Sequence, residues 1–233
     1  MNSDRRLGVL GGAFDPVHGG HLAVARAAQA AAGLTRVLFV PVHHPPHRRV
    51  EPRASGYHRF AMLALALTDR PDFAMSDAEL LSNQTSYTST TLRRLHAEGF
   101  SAVQLFFITG ADAFAEIAAW NDYPSILDLG HFVVITRPGF PSNSMPARLP
   151  ELAGRMQTVS AGDAKRQQPA AIWSTPGTRV FLVDAVTPDV SSTEIRRQAS
   201  ERRPLTGLVA PAVERHIRRH RLYASETTRR GVW

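Results

Sequence analysis

An apolar run, Leu7-Gly8-Val9-Leu10, ends at Gly11-Gly12. The alanine-rich, proline-free stretch Gly20 to Ala32 follows, then Gly33 and a second apolar run, Arg36 to Val42. A short continuous apolar run reads as a strand buried on both faces, and alanine-rich sequence without proline as a helix. Gly33 stands where a helix ends in a left-handed residue. Strand, turn, helix and strand within the first 42 residues make a βαβ unit. Such a unit requires a parallel sheet with helical crossovers, and few other folds accommodate it.

The alternation continues. Helices are expected over Tyr57–Thr68, Ser86–Glu98 and Asp112–Ala119, and strands over Phe73–Ser76, Val103–Thr109, Phe132–Thr136 and Val180–Val183. The fold class is therefore α/β: a doubly wound, Rossmann-like, mostly parallel sheet with a small C-terminal helical region. Residues 1–190 form the Rossmann-like domain, interrupted by an irregular surface excursion over 138–178. Pro138 to Pro176 holds six of the 16 prolines, and only Ala147–Met156 has helical character. Residues 191–224 form the helical region, with a helix after Pro211 whose Val213 and Ile217 share a face. Residues 225–233 read as a disordered tail.

Composition excludes several classes. A chain of 233 residues without cysteine has no disulfide, no thiolate catalysis and no cysteine-based metal centre. No apolar run approaches the ~20 residues that cross a bilayer, and Met1 to Arg6 does not read as a secretory signal, so no membrane role and a cytoplasmic location are expected. The net charge of +7 suggests a polyanion partner, yet Arg196 to Trp233 alone holds ten arginines against three acidic residues. The body is neutral. No aromatic-interleaved basic patch or nucleic-acid motif accompanies that end, so no nucleic-acid partner is expected.

Chemistry concentrates in Gly11-Gly12-Ala13-Phe14-Asp15-Pro16-Val17-His18-Gly19-Gly20-His21. Glycines at the end of a first strand let main chain approach a ligand, and open α/β sheets bind nucleotides there. His18 and His21 fall at the start of the next helix, where two imidazoles and unpaired amides suit an anion, phosphate above all. A second helix start, Ser191-Ser192-Thr193-Glu194, has a capping-box pattern with Arg196 one turn on to fork phosphate oxygens. Asp112 follows Gly110 at a strand end, where a carboxylate can accept ribose hydroxyls, and the face of Trp120 can stack on a planar ring. Each of these can equally be a cap or a core residue when taken alone. His43-His44-Pro45-Pro46-His47-Arg48 contains no carboxylate and is not read as a metal site, and no protein metal centre is expected.

The first string and Val190-Ser191-Ser192-Thr193-Glu194-Ile195-Arg196 together resemble the two signatures of the nucleotidylyltransferase superfamily, specifically its nicotinate-nucleotide adenylyltransferases. The resemblance runs from Leu7 to Tyr223. It includes Gly110-x-Asp112 with Trp120, and Ser86-Tyr87-Thr88 with Thr85 where the family has proline. It implies transfer of an adenylyl group from ATP to nicotinate mononucleotide, giving deamido-NAD and pyrophosphate, with Mg²⁺ carried on the ATP phosphates. By that resemblance His18, His21 and Arg196 are catalytic. Gly11, Gly12, Ala13, Phe14, Gly110, Asp112, Ser191, Ser192 and Thr193 join them in binding ATP. His47, Arg48, Thr88, Trp120, Asn121 and Arg137 bind the mononucleotide, Thr88 and Asn121 through main-chain amides on the nicotinate carboxylate. A sister enzyme using nicotinamide mononucleotide or phosphopantetheine is the near alternative, and a non-catalytic nucleic-acid-binding module the distant one. A homo-oligomer is left open.

Overall fold

The structure, a computed structural model, describes residues 5–44, 51–82, 84–136, 144–160 and 177–224. Strand β1 (Leu7–Gly12), helix α1 (Gly19–Ala32) and strand β2 (Arg36–Pro41) form the expected βαβ unit. Gly33 ends α1 at φ 57°, and the N–H groups of Gly33 and Leu34 both return to the Gln29 carbonyl. A residue with a side chain would be strained there. Then come α2 (Gly56–Leu67), β3 (Phe73–Met75), α3 (Thr88–Ala97), β4 (Leu105–Gly110), α4 (Ala111–Phe114) and β5 (His131–Ile135). The chain continues through α5 (Met145–Arg148), β6 (Met156–Ser160), β7 (Val180–Asp184), α6 (Ser192–Ser200) and α7 (Pro211–Arg219).

The seven strands form one sheet in the order β3-β2-β1-β4-β5-β7-β6, and every pairing is parallel. The order reverses between β1 and β4, so the connections after these two strands diverge and leave a crevice. Both faces are covered, which explains the unbroken apolar strands. In β5, Val133 and Ile135 join a core with Ala25 and Ala28 of α1 and Met62 and Leu63 of α2. Phe132 and Val134 face the opposite core, with Leu92 and Leu95 of α3. Ile195, Val213 and Ile217 of the last two helices share the α1–α2 core. Each such large side chain contributes about 1.5–3 kcal/mol by leaving water.

Four expectations change. The helix expected from Ser86 starts at Thr88 because Ser86 is engaged elsewhere: its N–H donates to the His44 carbonyl and its hydroxyl accepts from the His43 N–H. Val103 lies in a 3₁₀ turn, Ala102–Gln104, and is half exposed, so β4 begins at Leu105. The helix expected over Asp112–Ala119 divides into α4 and a 3₁₀ turn, Ile117–Ala119. The 138–178 stretch is not wholly irregular, because Met156–Ser160 extends the sheet as its edge strand, paired in register with Val180–Asp184. Before it, the expected helical character appears as α5 and a 3₁₀ turn, Pro150–Arg155. Pro150 has no N–H to continue an α-helix through that point. Residues 161–176 and the tail from 225 lie outside the described residues.

Candidate active site

Leu10 pairs beside Ile108, so β1 and β4 deliver Gly11-Gly12 and Gly110 to the same edge of the sheet, at the crevice. Beyond β1 the chain turns inward. Phe14 adopts φ 47° and buries its ring, and a side chain on Gly12 would place Cβ 3.1 Å from that ring. A side chain on Gly12 would therefore press on the Phe14 ring. The Asp15–Pro16 peptide is cis, and Val17 is buried. His18 is the N-cap residue of α1 in extended conformation, and its N–H donates to His21 Nδ1 at 3.3 Å. A neutral His21 that accepts at Nδ1 carries its proton on Nε2 and presents a donor on the far side of the ring. The two imidazole centroids lie 3.8 Å apart at a 33° tilt, and Phe14 meets His21 edge-on at 5.0 Å. The pair is held side by side at the positive end of a helix.

The first amide of that helix is already engaged: Gly19 N–H donates to the Leu208 carbonyl at 3.0 Å. One amide of this helix start is therefore not available to a ligand, and the bond brings the C-terminal segment against this loop. Ser192 Oγ donates to the Pro16 carbonyl at 3.1 Å, and Arg196 Nη1 donates to the Asp15 carbonyl at 2.7 Å. Arg196 Nη2 reaches Thr193 Oγ1 at 3.1 Å. Ser191 caps α6 by accepting from Glu194 N–H. Glu194 turns its carboxylate to Arg197 and Gln198, so only half of the expected capping box forms. Two helix starts more than 170 residues apart in sequence therefore meet on one loop. Together they gather two imidazoles, hydroxyls and a guanidinium, a donor set for phosphate oxygens.

Three residues of this arrangement escaped the sequence reading. Asp15 is buried, and its carboxylate accepts from Arg53 N–H at 2.8 Å, Ala54 N–H at 3.2 Å and the Tyr223 hydroxyl at 2.7 Å. Arg59 is 2% exposed and its Nη1 donates to both the Ala13 and the Val42 carbonyls at 2.8 Å. Burial pulls its pKa down, against the opposing pull of Asp15 and the Tyr223 and Glu51 groups. Burial, then the neighbouring Asp15 charge, pushes the Tyr223 phenol well above its ordinary value. A signal for Arg59 was present, since Arg59, Met62, Leu63 and Ala66 form the buried stripe of α2. A charge on such a stripe must be paired.

The other nominated residues gather along β4 and α3. Gly110 is the N-cap residue of α4, and Asp112 is exposed in its first turn. Trp120 is half-buried, edge-on to Phe107 at 5.9 Å and tilted against Phe132 at 6.4 Å. Thr88 is the first residue of α3, and the next residue, Ser89, is buried and accepts from Asn121 Nδ2 at 3.1 Å. Arg93 pairs with Asp122 across the same seam. The nominated Thr88 and Asn121 are thus brought together. His47, Arg48 and Arg137 lie outside the described residues. Among the described residues no group of three or more His, Asp or Glu is arranged to hold a metal ion, and no helix is long and apolar enough to cross a membrane.

Comparison with known proteins gives this geometry a context. The cytidylyltransferase-like family model matches residues 9–198. A protein of Moorella thermoacetica named "probable nicotinate-nucleotide adenylyltransferase" is 36% identical over 94% of this chain and 91% of its own length. A likewise named protein of Citrifermentans bemidjiense is 37% identical over 94% of this chain and 98% of its own. Among solved structures, Plasmodium falciparum nicotinic acid mononucleotide adenylyltransferase complexed with NaAD has a TM-score of 0.65. It is 15% identical, with 94% of this chain and 97% of that one covered, a likeness of fold. With both signature loops joined at the crevice and this similarity over nearly its whole length, the chain belongs to the cytidylyltransferase-like family and, within it, to the nicotinate-nucleotide adenylyltransferases.

Proposed function

We propose that this chain joins ATP and nicotinate mononucleotide into deamido-NAD with release of pyrophosphate, a cytoplasmic step of NAD synthesis. The observation that carries the reading is the meeting of the α1 and α6 starts on the loop after β1. Related structures of the Plasmodium enzyme, complexed with NaAD and with APC, agree with a product and a nucleotide taken up by this fold.

An oxygen of the mononucleotide 5′-phosphate attacks the α-phosphorus of ATP, and the bond to the β-phosphate oxygen breaks as pyrophosphate leaves. The attacking phosphate is already anionic, so positioning and charge stabilisation suffice without a base or covalent nucleophile. His18 and His21 donate to the α-phosphate, with the His21 Nε2–H as one donor. The start of α6 and the donors of Arg196 left over from Asp15 and Thr193 hold the β- and γ-phosphates. ATP enters as its magnesium complex. The Asp15 carboxylate is turned inward to Arg53, Ala54 and Tyr223, so it would not be a ligand of that metal, which phosphate and water would hold. Gly11, Gly12, Ala13, Phe14, Gly110 and Asp112 line the ATP side. The face of Trp120 stacks on the pyridine ring and the main chain at Thr88 and Asn121 receives its carboxylate, while His47 and Arg48 are assigned to the 5′-phosphate, and Arg137 to the nucleotide, from sequence.

Pyrophosphate release measured side by side with nicotinate mononucleotide, nicotinamide mononucleotide and phosphopantetheine tests this. The nicotinate substrate should be preferred. Preference for either alternative moves the chain to a sister activity, and turnover with none of the three overturns the reading.

A further inference from the structure

The Asp15 carboxylate joins three parts of the chain that are remote in sequence. It belongs to the loop carrying His18, it receives both amides leading into α2, and it receives the hydroxyl of Tyr223, 208 residues away. Tyr223 is not passively packed. It sits at φ 66°, a left-handed conformation costly for a residue with a ring, in the short segment after α7, whose end is closed by Arg221 at φ 50° and the Leu222 N–H returned to the Ile217 carbonyl. The ring is 5% exposed and shares the core of α1 and α2. A ring anchored in the core thus presents its one hydroxyl to one buried carboxylate. That carboxylate also has the Arg196 guanidinium 3.8 Å away, and Arg196 is held by the Asp15 main-chain carbonyl.

We propose that Tyr223 is a positioning residue for adenylyl transfer: through Asp15 it fixes the loop that sets His18 and His21. A buried carboxylate with a missing donor reorients toward whatever donors remain. The Asp15 carbonyl and the Pro16 carbonyl are the points at which Arg196 and Ser192 grip the loop. Rotation about Asp15 therefore displaces the imidazole pair relative to α6. Transition-state contacts to phosphate tolerate only small misplacement, so the loss falls on turnover. This inference rests on the adenylyltransferase reading, and its test includes a measurement that does not.

Tyr223→Phe removes the hydroxyl and keeps the ring. We expect kcat to fall about tenfold, which is about 1.4 kcal/mol, while the KM for ATP changes less than about twofold. Circular dichroism and the urea midpoint report how much protein is folded, so kcat is referred to folded enzyme. The ring-proton NMR signals of His18 and His21, assigned by single His→Gln variants, should shift in Tyr223→Phe even without substrate. Asp15→Asn, which keeps one acceptor oxygen, should shift the same signals. It serves as the readout if Tyr223→Phe does not fold. Unshifted histidine signals with wild-type kcat per folded molecule overturn the positioning role. Shifted signals in Tyr223→Phe, together with a wild type inactive toward all three acceptors, would keep the coupling and reject the reaction instead.

Discussion

The phosphate side and the pyridine side of the site are braced in opposite ways. Around His18 and His21, the loop is held by Ser192, Arg196, Leu208 and Tyr223, partners 176 to 208 residues distant for the side-chain bonds. Around Thr88 and Asn121, the bracing is the Asn121–Ser89 bond and the Arg93–Asp122 pair, which span 32 and 29 residues. The first arrangement exists only when the whole chain has folded, and its bonds are buried or half-buried. The second is assembled within one αβ unit and lies partly in solvent. The phosphate side should therefore respond cooperatively to damage, and the pyridine side locally.

Arg59→Met should separate the two most sharply. It leaves the Ala13 and Val42 carbonyls without their donor and removes a cation near the buried Asp15. We expect a loss of about 3 kcal/mol in urea unfolding, with the whole transition moving as one. A separate early transition confined to the first loop would show that the bracing is not cooperative.

His18→Ala and His21→Ala remove donors while leaving the bonds from Ser192, Arg196 and Tyr223 in place, although His21→Ala also removes the acceptor of the His18 N–H. Each should lower kcat for pyrophosphate release about 100- to 1000-fold, as loss of a transition-state donor does. Stability in urea should fall by no more than about 1 kcal/mol, the value of the one hydrogen bond lost in His21→Ala. Wild-type-like turnover in both variants would withdraw the phosphate role from this helix start.

Acid offers a control remote from both sides. His131 opens β5, at the end of the sheet away from the crevice, with Nδ1 accepting from Arg179 N–H at 2.9 Å and its ring stacked on Phe106. Burial, with a smaller push from the Arg179 charge, lowers its pKa to about 4. The unfolded chain binds this proton near pH 6.5 and the native chain does not. Stability is therefore full above pH 6.5 and falls as pH drops towards 4, by on the order of 3 kcal/mol in total. His131→Gln should flatten the urea midpoint between these pH values. His216, at the α2–α7 contact, acts with the same sign, since burial and then the charges of His220, His58 and Arg219 lower its pKa. Some slope should therefore survive in His131→Gln.

The same contrast governs what was legible in the sequence. The βαβ unit and the helix starts at His18 and Ser191 are local patterns of apolar period, glycine and hydroxyl, and they appear where expected. Strand β6 was missed because Met-Gln-Thr-Val-Ser at a sheet edge buries Val159 but exposes Gln157 and Thr158, so neither an apolar run nor a clean alternation marks it. The Asp15 hub was missed for a different reason. Nothing within the sequence near Asp15 specifies that Tyr223 and Ala54 will surround it, because that is decided by the closing of the sheet and its last two helices. Arg59 was the exception, a charge on an apolar stripe that required a buried partner.

The smallest expected effect tests the pyridine side. Asn121→Ala removes the side-chain bond to Ser89 but leaves the main-chain amide nominated for the nicotinate carboxylate. The exposed Arg93–Asp122 pair still bridges the seam, although such pairs contribute little. Stability should fall by about 1 kcal/mol, the value of one hydrogen bond to a buried hydroxyl. The KM for nicotinate mononucleotide should rise a few-fold, because the amide is less well held, while kcat and the KM for ATP stay near wild type. A parallel rise in the KM for ATP would mean that the damage crosses the crevice, and the two sides would then be one braced unit and not two.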